Sequence, residues 1–217
     1  MRHLWFASLL IFALGNVSCS KKFHFAAMGT LASPPDSISV FTLWQKTDTS
    51  ASVYKFIASA TIYGKKVEGI LFLRRMSNDF FRATFLAKGA LKLFDMELYK
   101  DTFIVRKHAY QLSNQMALNV LAKDMTLLTL QLNEQFKPLE MRVNEASKTR
   151  VLKRQVKSFY LFYSFQNEQL VQLLKTDLRE KLDTQLSFSD YQKHHPTKIS
   201  LKHSRFRMQI DLTLLQE

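Results

Sequence analysis

The chain has 217 residues, the length of one domain plus a leader, and its 31 Lys and Arg against 18 Asp and Glu give a formal charge of +13. A single cysteine excludes an internal disulfide, and no GxSxG, HExxH, CxxC or phosphate-cradling glycine loop occurs, so no motif-defined enzyme class and no cofactor is implied. The basic balance suits an anionic partner such as phospholipid headgroups or lipopolysaccharide, and nucleic acid is set aside because the first residues read as an export signal.

Arg2 and His3 precede the apolar run Leu4 to Leu14. A bilayer core needs ~20 residues at helical rise, so this run is too short to span one. A basic start, a short apolar stretch and the small Ser18 before Cys19 describe a lipoprotein signal peptide over residues 1–18. Cys19 is then the lipid-attachment residue, whose acyl chains hold the mature chain on a membrane surface without spanning it. An ordinary signal cut near Ser18 or Ser20, with Cys19 incidental, is the other reading. Removing residues 1–18 leaves 30 basic against 18 acidic side chains, +12. The stretch "SKKFHFAAMGTLASPPDSI" is rich in small residues and carries Pro34–Pro35, which predicts a flexible tether over 19–38 and a folded domain over 39–217.

From Ser39 the pattern is that of strands. In "VYKFIASATIY", Tyr54, Phe56, Ala58, Ala60 and Ile62 share one face, and Gly64 turns the chain into "KVEGILFLRR". "FFRATFLA" sets Phe81, Ala83, Phe85 and Ala87 on one side; "ALKLFDMELY", with Phe94 and Met96, and "TFIVRKH" follow, split by Lys100–Asp101. Five consecutive strands with tight links predict an antiparallel meander. "SNQMALNVLAKDMTLLTL" starts on a capping residue and repeats Ala117, Leu121, Met125 and Leu128 at helical spacing, which predicts one helix. Strands resume at "TRVLKRQVKSFYLFYSF". The leucines 170, 174, 178, 182 and 186 recur every fourth residue, so periodicity favours a helix over Glu168 to Leu186, whereas a hairpin turning near Asp177 is the alternative. "PTKISLKHSRFRMQIDLTLL" closes the chain as a hairpin, with Phe206, Met208, Ile210, Leu212 and Leu214 on one face.

The apolar strand faces mix aromatics with alanines. On the concave side of a curved sheet, small residues either leave room for an apolar ligand or let a covering helix pack close. The candidate ligand-binding residues are Phe56, Ala58, Ile62, Phe81, Ala83, Phe85, Phe94, Met96, Met208 and Ile210. Lys148, Arg150, Lys153, Arg154 and Lys157 form a run without an acid, a solvated strand face or a surface for anionic headgroups beside the anchor. His194–His195 with His203 reads as a surface loop rather than a metal site, and Asp95 with Glu97 as a solvated face.

The order of signal, cysteine, tether, meander, single helix and terminal hairpin resembles bacterial lipoproteins of the LolA/LolB-like superfamily, in particular its uncharacterised outer-membrane lipoproteins. The likeness is carried by "YKFIASATIYGKKVEGILFLRR", "LKLFDMELYKDTFIV", "NVLAKDMTLL" and "HHPTKISLKHSRFRMQIDLTLL". It implies an α+β fold: an open antiparallel half-barrel of about nine to eleven strands, with one or two helices covering its concave face. The resemblance favours the hairpin over Glu168 to Leu186. It further implies a non-enzymatic protein on an outer-membrane lipid anchor, facing the periplasm, that receives or transfers lipid or lipidated protein. A structural subunit of an envelope complex, binding protein partners through its exterior, is the alternative.

Overall fold

The computed structural model describes residues 22–39, 53–77, 79–89, 91–100, 102–112, 114–129, 135–192 and 195–215. Its strands are β1 (Thr30–Ala32), β2 (Ile38–Ser39), β3 (Val53–Ile62), β4 (Lys65–Ser77), β5 (Phe80–Ala87), β6 (Lys92–Tyr99) and β7 (Phe103–His108), then, after the helix, β8 (Gln135–Phe136), β9 (Glu140–Asn144), β10 (Thr149–Val156), β11 (Phe159–Gln166), β12 (Gln169–Asp177), β13 (Leu182–Gln192), β14 (His195–His203) and β15 (Met208–Leu214). The one α-helix among the described residues is α1 (Gln115–Thr129).

Thirteen strands form one antiparallel sheet in the order β1-β9-β10-β11-β12-β13-β14-β15-β3-β4-β5-β6-β7, and β2 pairs with β8 separately. The last strand therefore joins the two meanders: β15 pairs with β3, with Met208 opposite Ile62 and Leu212 opposite Ala58. The sheet does not close, because β1 and β7 are its ends. The half-barrel is thus larger than the expected strand count.

Side-chain alternation sets the two faces. Phe56, Ala58 and Ala60 are buried while Ile57 and Thr61 face out, as the period of two requires. The tight links use left-handed backbone: Tyr63 and Gly64 (φ 49° and 81°) turn β3 into β4, and Asn167–Glu168 (φ 47° and 65°) turn β11 into β12. Helix α1 starts where the Asn114 Oδ1 accepts the Met116 and Ala117 N–H groups, so Asn114 is the cap. Its stripe Leu118, Leu121, Ala122, Met125 and Leu128 is fully buried in the main core. Removing each large side chain in that stripe from water stabilises by ~1.5–3 kcal/mol.

Glu168 to Leu186 is a hairpin, not a helix. A repeat of four is even, so it also fits the period of a strand. The β-bulge where Ser164–Phe165 face Gln172 and Leu170 then moves the leucines to different faces: Leu170 and Leu173 join the main core, and Leu174 the outer cluster with Phe25.

The expected tether is corrected as well. From Lys22 onward it is docked on the outer face of the sheet. Lys22 bridges Lys181, the Phe23 N–H donates to the Glu180 carbonyl at 2.9 Å, and β1 pairs with β9. Phe23 and Phe25 lie on Phe162 at ring distances of 4.6 and 5.3 Å, and Phe25 is buried. Gly29 makes this possible: its φ is 137° and a Cβ there would run into the Val143 carbonyl. Composition reads a segment as loose when small residues and prolines dominate; two phenylalanines were enough to dock this one.

Candidate binding cavity

Nine of the ten candidate ligand residues are buried on the concave face, and Ile62 is half-buried there. The register explains why they meet: Phe85 faces Phe94, Ala83 faces Met96, Ile210 faces Ala60 and Met208 faces Ile62. They do not enclose a ligand-sized space. Leu121 and Met125 of α1 press onto Ala58, Ala60, Phe85, Phe94 and Ile210, leaving a void of about 10 Å³. One water occupies about that much. The alanines here admit the helix.

A second space lies along the same helix and is open to solvent, with a volume of about 680 Å³. Small-molecule sites run to ~300–1,000 Å³. Leu127, Phe103, Val156 and Phe159 give it apolar walls, drawn from α1, β7 and the β10–β11 hairpin. Its rim is cationic: Lys100, Lys123, Arg154, Lys157, Lys175 and Arg205 against Asp177 and Asp183. Lys175 pairs with Asp183 at 2.9 Å, and Arg205 reaches Asp177 and Asp183 at 3.6 and 3.5 Å. The Lys175 ammonium also stands 5.3 Å from the Phe159 ring centre, and the Arg154 guanidinium 4.7 Å from that of Phe136. The Lys181 backbone N–H, with that of Arg179, holds the Asp177 carboxyl below its usual range.

Behind the cavity wall a polar latch ties α1 to β13. Asp124 is 1% exposed, and its Oδ1 accepts the Thr184 hydroxyl at 2.9 Å while Oδ2 has no hydrogen-bond partner. Burial pushes this carboxyl up to about 7. His203 packs beside Thr184, its Nδ1 2.8 Å from the Asp183 carbonyl oxygen and its ring stacked on Phe206; burial lowers its pKa. His203 is therefore a core residue and not part of a surface loop. Asp95 is likewise buried, gripped by the bidentate Arg82 at 2.8 Å, by Lys92 and by Thr84, and the Arg82 bonds hold it well below the carboxylate range. It is a structural ion pair. No group of three or more His, Cys, Asp or Glu with metal-binding geometry occurs among the described residues.

The five residues of the basic run do not share one surface. Alternation along β10 sends Lys153 to the outer face, where it is buried under the docked segment, paired to Glu180 at 3.1 Å and Glu140 at 3.4 Å, with its ammonium 4.3 Å from the Tyr160 ring centre. Arg150 pairs with Glu168 at 2.6 Å and covers Phe165; Lys148 sits in the exposed β9–β10 turn. Only Arg154 and Lys157 reach the cavity. The sequence reading missed Phe103, Leu127, Phe159, Lys175 and Arg205. The one legible signal was local, the Lys157-Ser158-Phe159 turn between two apolar strands. Cys19 and the signal segment 1–18 lie outside the described residues, and among those described no helix is long and apolar enough to cross a membrane.

No family model and no curated protein matches the sequence. Solved structures are similar in fold. A DUF1329 family protein from Desulfovibrio piger matches at TM-score 0.51 and 10% identity, over 78% of this chain and 85% of its own. A LolA superfamily protein from Nitrosomonas europaea matches at 0.48 and 8% identity, over 77% and 85%. A putative outer membrane lipoprotein-sorting protein domain from Vibrio parahaemolyticus matches at 0.45 and 7%, over 78% and 85%. The likeness to the first of these is one of fold: an open antiparallel half-barrel with a helix over its concave face.

Proposed function

We propose that this chain is a non-enzymatic, membrane-anchored lipoprotein of the periplasm that takes up lipid, or the acyl chains of a lipidated protein, and receives or transfers them at the outer membrane. Acylated Cys19 supplies the anchor after residues 1–18 are removed. The observation that carries the reading is the solvent-open space of about 680 Å³ between α1 and the β10–β13 hairpins, apolar inside and cationic at its rim. An acyl chain lies against Leu127, Phe103, Val156 and Phe159, while a polar headgroup remains in the basic mouth. Phe56, Ala58, Ile62, Phe81, Ala83, Phe85, Phe94, Met96, Met208 and Ile210 serve instead as the packed floor that positions α1.

Thr126 lies on the cavity side of α1 and is half-buried, so Thr126→Trp fills the space from a helix surface. The test is binding of a fluorescent fatty acid by the full chain. Wild type is expected to bind, and Thr126→Trp to lose binding with its thermal midpoint nearly unchanged. The other reading, a structural subunit of an envelope complex, is favoured by the closed packing beneath Leu121 and Met125. Absence of binding by wild type would leave that reading.

A further inference from the structure

The chain enters the described structure at one end of the barrel, and part of the cavity wall belongs to that same end. Lys22 bridges Lys181 and the Phe23 N–H bonds to Glu180, both beside the β12–β13 turn. That turn's flanks supply Lys175, Thr176, Asp177 and Asp183 to the cavity wall. Register links it to the other turns at this end: Phe159 faces Asp177, Thr184 faces His203, and His203 faces Met208, so Lys157 and Arg205 stand on the same rim.

Cys19 precedes Lys22 by three residues. Three extended residues reach at most ~11 Å, whereas a strand of the β10–β12 length runs ~25 Å. The docked Phe23 and Phe25 remove the slack that a tether over residues 19–38 would have given. We propose that the barrel end bearing the β12–β13 turn is the membrane-docking surface of this protein, held with the Lys157, Asp177 and Arg205 side of the cavity toward an anionic bilayer. This rests on the acylated-Cys19 reading above. The surface fits that partner chemically. Lys22, Arg179, Lys181, Lys157 and Arg205 are exposed there, and Leu178, at the tip of the turn, is 50% exposed. Cations for headgroups around one aliphatic side chain for the interface are the components of a shallow membrane contact. Cargo then passes between bilayer and cavity without the domain leaving the surface.

The chain's only cysteine is consumed by acylation, so an introduced cysteine is the single free thiol. Full-length protein carrying Leu178→Cys, or Ala146→Cys in the exposed β9–β10 turn at the opposite end, is labelled with a fluorophore. It is then reconstituted into phosphatidylethanolamine/phosphatidylglycerol vesicles containing a nitroxide lipid. The expected result is quenching several-fold stronger at 178 than at 146. Inserting ~20 Gly/Ser residues between Ser20 and Lys21, a coil with a reach of ~25 Å, should bring the two positions close together while the protein still floats with vesicles. Equal quenching in the uninserted protein, or stronger quenching at 146, overturns the proposal. Failure of the anchor reading has a different signature: wild type takes up the thiol label at Cys19 and does not float.

Discussion

Asp124 makes stability fall as pH rises, and its removal should reverse that. The carboxyl is 1% exposed, with only the Thr184 hydroxyl on one oxygen, and burial raises its pKa from 3.8 to about 7. A folded pKa above the unfolded one means that the native state holds the proton more tightly. The stabilisation is complete below the unfolded value of 3.8 and is lost progressively as pH rises through about 7. The rise from 3.8 to about 7 corresponds to a total of ~4 kcal/mol. Asn keeps an acceptor for Thr184 and never ionises. Asp124→Asn should therefore match wild type near pH 4 and exceed it by up to ~4 kcal/mol at pH 8. Urea unfolding of both proteins between pH 4.5 and 8.5, at constant m-value, measures the difference. His203 runs the other way, because burial lowers its pKa from 6.5 and its stabilisation is lost as pH falls through the folded value. Both proteins contain it, so it cancels in the difference. A difference that stays flat with pH, or an Asn variant less stable at pH 8, would refute the assignment of Asp124 as a carboxyl whose burial outweighs the pull of Lys175 and the Thr184 hydroxyl.

Four further outcomes follow from the same geometry. Ala83→Trp should lower stability by ~1–3 kcal/mol or more, because Ala83 is fully buried beside Met96 of the neighbouring strand and an indole there would overpack the core; an unchanged melting temperature would mean that the floor is not packed. Asp95→Ala removes the carboxylate shared by Arg82 and Lys92, whose exposed head groups then rehydrate, a loss of ~1–3 kcal/mol by denaturant titration. Cys19→Ala should abolish incorporation of labelled palmitate and release the protein from membranes with its circular dichroism spectrum intact; equal labelling of both proteins would end the lipoprotein reading. That released form should bind phosphatidylglycerol vesicles at low salt and let go as screening shortens toward ~8 Å, and salt-insensitive binding would argue against the cationic barrel end as the contact.

How far the sequence could be read depended on how local each signal was. The five-strand meander and the terminal hairpin were legible because alternation and turn residues such as Gly64 act within a few positions. Helix α1 was legible from its stripe, although its cap is Asn114. The residues expected on one face are buried together, since a strand face is a sequence property. Whether that face is filled or hollow is a property of the helix laid over it, and the sequence does not encode the height of a helix above a sheet. Leu121 and Met125 settle on the alanines and move the open volume along α1 to Thr126 and Leu127. There the walls come from strands far apart in sequence, Phe103 of β7 and, 56 residues on, Phe159 of β11 among them. The basic run illustrates the same limit from the other side. Five cations within ten residues look like one patch, but a period of two divides them. Lys153 goes beneath Phe25 and Arg154 to the cavity, so one run contributes both to the clasp on the N-terminal segment and to the mouth it holds in place.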